Sequence, residues 1–360
     1  MKKIMFFIPY GMDTPGGAER ILSTIANELV KDNYCKVDIV TFNSIESFYK
    51  LNDNIDIHSL NFIKSKNYFI RKIQPLKYFL KLRKTIKKIN PSVVISLSIE
   101  AVFLKLIATI GLNSIDKKIS WEHNSYYQPT YKLLKVIRYI SYRFLDLIIV
   151  LNKTDYNAFK SIFGEKKVVV IPNALPWMTE NKNSLKNKNI IAVGRYQEVK
   201  GFDRLIKIFN IVVKKYPDWK LNIFGKDEGE KSYIQELVNS FNIGGNVNLY
   251  TETSDIQSEY LNSSIYAMTS NFECFPMVLL EAKEAGLPIV TFDCYSGPRD
   301  IVNSGYDGYL IPNGNLDVYA EKLEELMINF EKRSYFGRNS KKMAEKYRLD
   351  NIILSWKKII

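Results

Sequence analysis

Short apolar runs rich in β-branched residues alternate along the chain with helix-length amphipathic stretches. That alternation predicts parallel sheets covered by helices, because strands buried on both faces read as continuous apolar runs rather than as an in/out pattern. One series of strands is expected at Ile4 to Ile8, Val37 to Phe42, Ile55 to Leu60, Val93 to Ser98, Lys118 to Trp121, Leu147 to Leu151 and Val168 to Ile171. A second is expected at Ile190 to Val193, Leu221 to Phe224, Val247 to Tyr250, Tyr266 to Met268, Ile289 to Phe292 and Tyr309 to Ile311. Between them, Pro172 to Asn189 holds two prolines, clustered Asn and Lys, and no periodicity, which reads as a connection. The pattern gives an α/β chain of two Rossmann-like doubly wound domains, residues 1–172 and 190–345, joined by a linker over 173–189. A last helix over 346–360 is free to pack back on the first domain. Ligands of such sheets bind beyond the carboxyl ends of the strands, so a central cleft faced by both domains is the expected site.

A length of 360 residues suits two domains with a core each. The cysteines, Cys35, Cys274 and Cys294, form no CxxC pair, so neither a disulfide framework nor a thiolate zinc site is indicated and a reducing compartment is expected. The net charge of +13 falls wholly within residues 1–172, the remainder being neutral, and this asymmetry points to an anionic partner for the first domain. The opening Met-Lys-Lys-Ile-Met-Phe-Phe-Ile has an apolar run too short for an export signal and lacks a small-residue cleavage site. The longest apolar stretch, Ile95 to Leu112, is interrupted by Glu100 and Lys105, so no membrane-spanning helix is expected. A cytoplasmic protein, peripheral on the inner face of the cell membrane, is the expectation.

Three local patterns carry candidate chemistry. The loop Tyr10 to Arg20 places Gly16 and Gly17 at a helix start, where backbone N–H groups can approach a phosphate, although it matches neither a P-loop nor GxGxxG; a plain strand-to-helix turn is the alternative. Strand Ile190 to Val193 ends in Gly194-Arg195, with Lys200-Gly201 just before a helix, two cations placed to suit a diphosphate. Glu273-Cys274-Phe275-Pro276-Met277-Val278-Leu279-Leu280-Glu281 sets two carboxylates eight residues apart, the second about one turn into a helix that starts near Pro276 and has apolar neighbours. No Asp-x-Asp triad or histidine cluster occurs, so protein cations rather than a divalent metal are expected to hold a diphosphate, and no cofactor is called for.

Taken in order, these patterns resemble the family-4 retaining glycosyltransferases of the GT-B fold, of the kind that builds bacterial surface polysaccharides. Further matches are Trp121-Glu122-His123-Asn124, Ala285-Gly286-Leu287-Pro288-Ile289-Val290, Ser296-Gly297-Pro298-Arg299-Asp300 and Gly308-Tyr309-Leu310-Ile311-Pro312. The resemblance implies that Arg195 and Lys200 hold the donor diphosphate and that Glu281 holds the nucleotide ribose. It further implies that Glu273, with the backbone of Phe275, Pro276, Met277 and Val278, holds the donor sugar and distal phosphate. His123 would contact the transferred sugar, and Gly16 and Gly17 would cover the phosphates. Two departures bear on the donor pocket. Pro276 replaces a glycine and removes an N–H, and the glycines usual after the second and third strands of the second domain are reduced to Gly225. The implied activity is metal-independent, retaining transfer of a hexose or N-acetylhexosamine from a nucleotide-diphosphate sugar, UDP preferred, to a lipid-linked oligosaccharide in O-antigen, capsule or similar synthesis. A nucleotide-sugar epimerase of the same architecture, or a non-catalytic binder of anionic lipid or nucleic acid, are the alternatives.

Residues 64–88 carry ten basic and no acidic side chains, with Tyr68, Phe69, Tyr78 and Phe79 interleaved, an arrangement fit for an anionic membrane surface. Lys81, Arg83, Lys84, Lys87 and Lys88 are the candidate contacts. Tyr131 to Phe144 repeats the theme with Lys132, Lys135, Arg138 and Arg143. No nucleic-acid recognition motif accompanies either stretch, and nucleic acid is not an expected partner. His58 lacks any context that would give it a role.

Overall fold

The computed structural model describes residues 1–9, 11–61 and 68–360, and side chains at 1–9, 11–31, 33–61 and 78–360. Tyr10 of the glycine loop and, in the basic stretch, the side chains from Lys64 to Lys77 with Tyr68 and Phe69 lie outside the described residues. The chain divides into two compact units, Met1–Asn173 with Asp350–Ile360, and Ala174–Leu349.

The first unit runs β1 (Lys2–Ile8), α1 (Gly17–Val30), β2 (Cys35–Thr41), β3 (Ile55–Ser59), α2 (Tyr68–Ile89), β4 (Val93–Ser96) and α3 (Ile99–Ala108). It continues with β5 (Lys117–Trp121), α4 (Lys132–Ser141), β6 (Leu147–Val150), α5 (Lys153–Phe163) and β7 (Val168–Val170). Its strands form one sheet in the order β3-β2-β1-β4-β5-β6-β7, every pair parallel. Ile4 to Ile8 are fully buried at its centre, which is why this strand is apolar at every position.

The second unit runs β8 (Asn189–Val193), α6 (Phe202–Val213), β9 (Lys220–Phe224), α7 (Lys231–Ser240), β10 (Val247–Tyr250), α8 (Ile256–Leu261) and β11 (Ile265–Met268). It ends with α9 (Met277–Glu284), β12 (Ile289–Asp293), α10 (Pro298–Ile301), β13 (Gly308–Pro312), α11 (Leu316–Ile328) and α12 (Phe330–Ala344). This sheet is also parallel throughout, in the order β10-β9-β8-β11-β12-β13.

All the strands expected from the sequence are present, with ends shifted by one or two residues. Residues expected to link the domains belong, from Ala174 on, to the second unit. The Asn183 amide donates to the carbonyls of Tyr260 and Ser263 at 3.2 and 2.8 Å, and Leu185 is buried. The final helix α13 (Leu349–Ile359) is counted with the first unit from Asp350, and its Trp356 ring lies 4.6 Å from that of Trp121 and 6.3 Å from that of Phe6. Among the described residues no helix is long and apolar enough to cross a membrane.

In each sheet the order reverses beside the first strand, between β1 and β4 and between β8 and β11. Loops leaving two such strands diverge to opposite sides, opening a crevice at the carboxyl edge. The loops after β1, β8 and β11 at these points carry Gly16, Arg195, Lys200 and Glu273, whereas His123 follows β5 and Glu281 lies within α9.

Candidate functional site

In the second unit, the loop after β8 carries Arg195 and Lys200 and the loop after β11 carries Glu273. Lys200 ends a short 3-10 turn, and Gly201 follows with φ +62° to begin α6. A Cβ there would also lie 2.3 Å from the Thr269 carbonyl, so only glycine fits this approach of the two loops. Lys200 Nζ donates to Glu273 Oε1 at 2.7 Å, and Ser270 Oγ donates to the same oxygen at 2.8 Å. The pair is mostly buried, with side chains 19% and 13% exposed. Arg195 is different: its side chain is 58% exposed and reaches Glu228 at 3.2 Å.

The Glu273 loop is held from behind by the Ser296-Gly297 turn. Ser296 Oγ donates to the Glu273 carbonyl at 2.7 Å. Gly297 has φ +78°, and a Cβ on it would fall 2.5 Å from the Cys274 carbonyl oxygen and 2.8 Å from Pro276 Cδ. Phe275 is buried edge-on to Tyr347, and Pro276 precedes the first residue of α9. Met277 and Val278, half-buried, open that helix, where backbone N–H groups have no intrahelical partner. Glu281 is 6% exposed and its Oε2 accepts from the Tyr260 hydroxyl at 2.9 Å. Burial, with the Glu281 charge added, holds the Tyr260 phenol well above its usual pKa, so it stays a donor.

Sequence reasoning missed Arg204. From the first turn of α6 its guanidinium reaches back to the Thr269 carbonyl, donates to Asn313 Oδ1 at 2.9 Å and lies 4.5 Å over the Phe292 ring. It ties the β11 loop to α6 beside Lys200. Its only signal in the sequence is its place three residues after Gly201, meaningful once that glycine is known to start the helix.

In the first unit, Gly16 immediately precedes α1, and a Cβ on it would lie 2.0 Å from Glu19 Oε2. The Glu19 carboxylate folds back over the helix start, accepting from Thr14 Oγ1 at 3.3 Å, where the helix dipole favours negative charge. Gly16 is thus the residue that leaves room for Glu19.

His123 follows β5 and is half-buried, its ring 4.5 Å from that of Trp121. Burial lowers its pKa to about 3, so the imidazole is neutral, and Nε2 has no hydrogen-bond partner among the described residues. A small cavity opens beside it, lined also by Leu97, Ser98, Asn124, Leu134 and Arg138. Behind the ring, buried Glu122 accepts from Ser120 and, at 2.7 Å, from Tyr142, with its pKa raised by burial. Asp155 accepts from Ser125 Oγ at 2.6 Å and from the Tyr126 N–H at 2.8 Å. This network fixes the loop that presents His123.

The basic stretches are less uniformly exposed than expected. Lys84, Lys87 and Lys88 are exposed, whereas Lys81 donates to the Leu60 carbonyl at 2.6 Å and Arg83 to those of Ala108 and Ile110 at 2.8 and 2.7 Å. Arg138 is a correction: it is 4% exposed, lies 4.2 Å over the Tyr126 ring and donates to the Tyr126 carbonyl. His58 Nε2 lies 2.7 Å from Asp38 Oδ1, and these two with Asp56 could offer metal-ligand atoms within 4.8 Å of one another.

Residues 15–176 match the family Glycosyltransferase Family 4, and residues 176–343 match Glycosyl transferases group 1. An uncharacterized glycosyltransferase of Haemophilus influenzae is 31% identical over the full length of both chains. An alpha-1,4-N-acetyl-D-galactosaminyltransferase of Campylobacter jejuni, named for an acceptor on PP-undecaprenol, is 25% identical over 100% of this chain and 98% of its own. The crystal structure of Anabaena HepE in complex with UDP superposes with a TM-score of 0.79 at 18% identity, covering 100% of this chain and 99% of that one. With two doubly wound parallel sheets, both family matches and a full-length relative in agreement, the chain belongs to the group 1, family 4 glycosyltransferases of the GT-B fold and is a glycosyltransferase.

Proposed function

We propose that this glycosyltransferase moves a hexose or N-acetylhexosamine from a UDP-sugar to a lipid-linked oligosaccharide in surface-glycan synthesis, with retention of configuration and without a metal. The observation that carries the reading is the buried Lys200–Glu273 pair at the switch point of the second sheet, 2.7 Å apart. A diphosphate leaving group develops negative charge as its bond to the sugar breaks. Lys200, mostly buried, Arg195, mostly in solvent, and the α9 start present cations and N–H groups to that charge. Glu273 orients the ammonium and offers a carboxylate to the sugar hydroxyls, and Glu281 takes the ribose hydroxyls. In the first unit, the neutral, half-buried His123 offers Nε2 to a sugar hydroxyl, and Gly16 and Gly17 offer backbone N–H groups suited to a phosphate. In the transfer, the acceptor oxygen bonds to the anomeric carbon on the face that the diphosphate leaves. The acceptor proton passes to a phosphate oxygen, so charge and atoms balance without a protein base. UDP is favoured because HepE, of the same fold, is solved with UDP. The lipid-linked acceptor is favoured by the name of the Campylobacter relative, and the +13 charge of residues 1–172 supports an anionic inner-membrane surface contacted through Lys84, Lys87 and Lys88.

The test is a donor panel with EDTA present: thermal shift and slow hydrolysis with UDP-galactose, UDP-glucose, their N-acetyl forms and GDP-mannose, repeated on Glu281→Ala. Stabilisation by the UDP series that Glu281→Ala loses is the expected result. Stabilisation by GDP-mannose alone overturns the base assignment, and activity that appears only when a divalent metal replaces EDTA overturns the metal-free one.

A further inference from the structure

Helix α4 is built inside out. Its inward face carries Arg138, 4% exposed, and buried Ser141, whose hydroxyl donates to the Ile137 carbonyl at 2.6 Å. Its outward face carries Leu133, Val136, Tyr139 and Ile140, exposed by 69%, 53%, 49% and 54%. Tyr131 before the helix and Phe144 after it, 83% and 69% exposed, lengthen the patch. A helix facing water places its apolar stripe inward and its arginine outward. Leu133, Val136 and Ile140 follow the i, i+3, i+7 spacing of a single stripe, so the exposure is a continuous surface rather than scattered side chains.

Charge selects the occupant. From Asn124 to Leu145 there is no acidic residue, and Lys132, Lys135 and Arg143 are exposed around the apolar stripe. A second copy docking here by two-fold symmetry would bring like charges together. An anionic bilayer satisfies both parts of the surface: leucine, valine and isoleucine enter the acyl boundary, tyrosines sit at headgroup level, and the long basic side chains reach the phosphates.

We propose that α4 is an interfacial anchor that lies on an anionic lipid bilayer by the face of Leu133, Val136 and Ile140. Its opposite face lines the His123 cavity through Leu134 and Arg138, so the anchor holds that cavity one helix thickness from the lipid. The surface stands on exposure and charge; only its purpose, receiving a lipid-linked acceptor, rests on the function proposed above.

The experiment is co-sedimentation of the full chain with vesicles of phosphatidylcholine alone or with phosphatidylglycerol added. The variants are the triple Leu133→Ser, Val136→Ser, Ile140→Ser and the triple Lys132→Gln, Lys135→Gln, Arg143→Gln. All six positions are exposed, and far-ultraviolet circular dichroism checks the fold. The wild type is expected to bind the anionic vesicles selectively, and each triple to reduce partition at least tenfold on the scale of about 1 kcal/mol per basic contact and about 0.8 kcal/mol per buried CH₂. As a second reading, Leu133→Trp is expected to shift its emission to the blue on adding anionic vesicles. Full binding by the serine triple, or no spectral shift in Leu133→Trp, overturns the anchor. A wild type that is dimeric without lipid and becomes monomeric in the serine triple also overturns it, in favour of a second copy. UDP-sugar hydrolysis without lipid is measured on the same samples and is expected to be unchanged in both triples. Loss of hydrolysis in the wild type counts against the transferase chemistry and leaves the vesicle result standing.

Discussion

Burial separates the two cations that the sequence presents as equals. Lys200 is four-fifths buried against Glu273, while Arg195 is mostly in solvent, where screening weakens any charge interaction. Lys200→Ala is therefore expected to lower kcat with a saturating UDP-sugar by about 10²–10³, or about 2.7–4 kcal/mol, as for a preorganised stabiliser of developing charge. Arg195→Ala is expected to lose less. Turnover of both variants sets the order, and an unchanged rate in Lys200→Ala would remove it from the transition state. His123 gives a pH test of opposite kind. Its pKa drops from 6.5 to about 3 on folding, so between those values the unfolded chain binds the extra proton. Stability therefore falls as pH falls below 6.5, by up to about 1.4 kcal/mol per pH unit. His123→Phe, which keeps a ring beside Trp121, is expected to flatten the slope of chemical-denaturation stability between pH 6.5 and 5 relative to the wild type. Equal slopes would mean the histidine titrates normally.

At the scale of elements, the turn before α10 shapes the carboxylate loop. Gly297→Ala meets two obstacles, a positive φ and a backbone oxygen 2.5 Å from the new Cβ, whereas Gly305→Ala, at φ +81° with open space around it, meets only the first. Backbone strain of this kind is worth about 1–3 kcal/mol, or several degrees in Tm for a unit of this size. Both variants are expected to melt earlier, but only Gly297→Ala to lose transfer activity, because the alanine must push Cys274 and with it Glu273. Thermal melts paired with initial rates check this, and full activity in Gly297→Ala would mean the turn does not set the loop. The comparison also shows what the sequence could reveal. The strands were legible because a parallel strand buried on both faces leaves a short, β-branched apolar run, and the helix-length amphipathic stretches between such runs separate it from a buried helix. Lys200 and Glu273 were legible as residue types at the ends of strands, but their ion pair joins positions 73 apart. The grip of Gly297 on Cys274 spans 23 residues and depends on a dihedral angle that no composition records. In the sequence Arg138 reads as a surface cation, because a basic side chain among aromatics looks solvated. Only the packing of Tyr126 around it shows otherwise.

For the molecule as a whole, the uneven charge makes a prediction that separates two kinds of attraction. All of the +13 lies in residues 1–172, where Lys84, Lys87 and Lys88 form an exposed row in the last turns of α2 and the α4 face combines apolar side chains with three cations. Coulombic attraction to an anionic bilayer decays over about 8 Å at physiological ionic strength and about 3 Å at 1 M, so it is removed by salt. Burial of apolar surface is not removed by salt. Vesicle binding should therefore fall steeply with rising ionic strength and then level off, the steep part belonging to the basic rows and the plateau to α4. Lys84→Gln, Lys87→Gln and Lys88→Gln together remove up to about 3 kcal/mol of surface attraction at low salt, near 100-fold in partition, at about 1 kcal/mol per side chain. They should leave the high-salt plateau where it was, because no apolar contact has changed. The serine triple in α4 should do the reverse, abolishing the plateau while keeping the salt slope. If the lysine variant sediments with anionic vesicles as the wild type does at every salt concentration, the end of α2 does not face lipid, and the charge asymmetry acts through α4 alone.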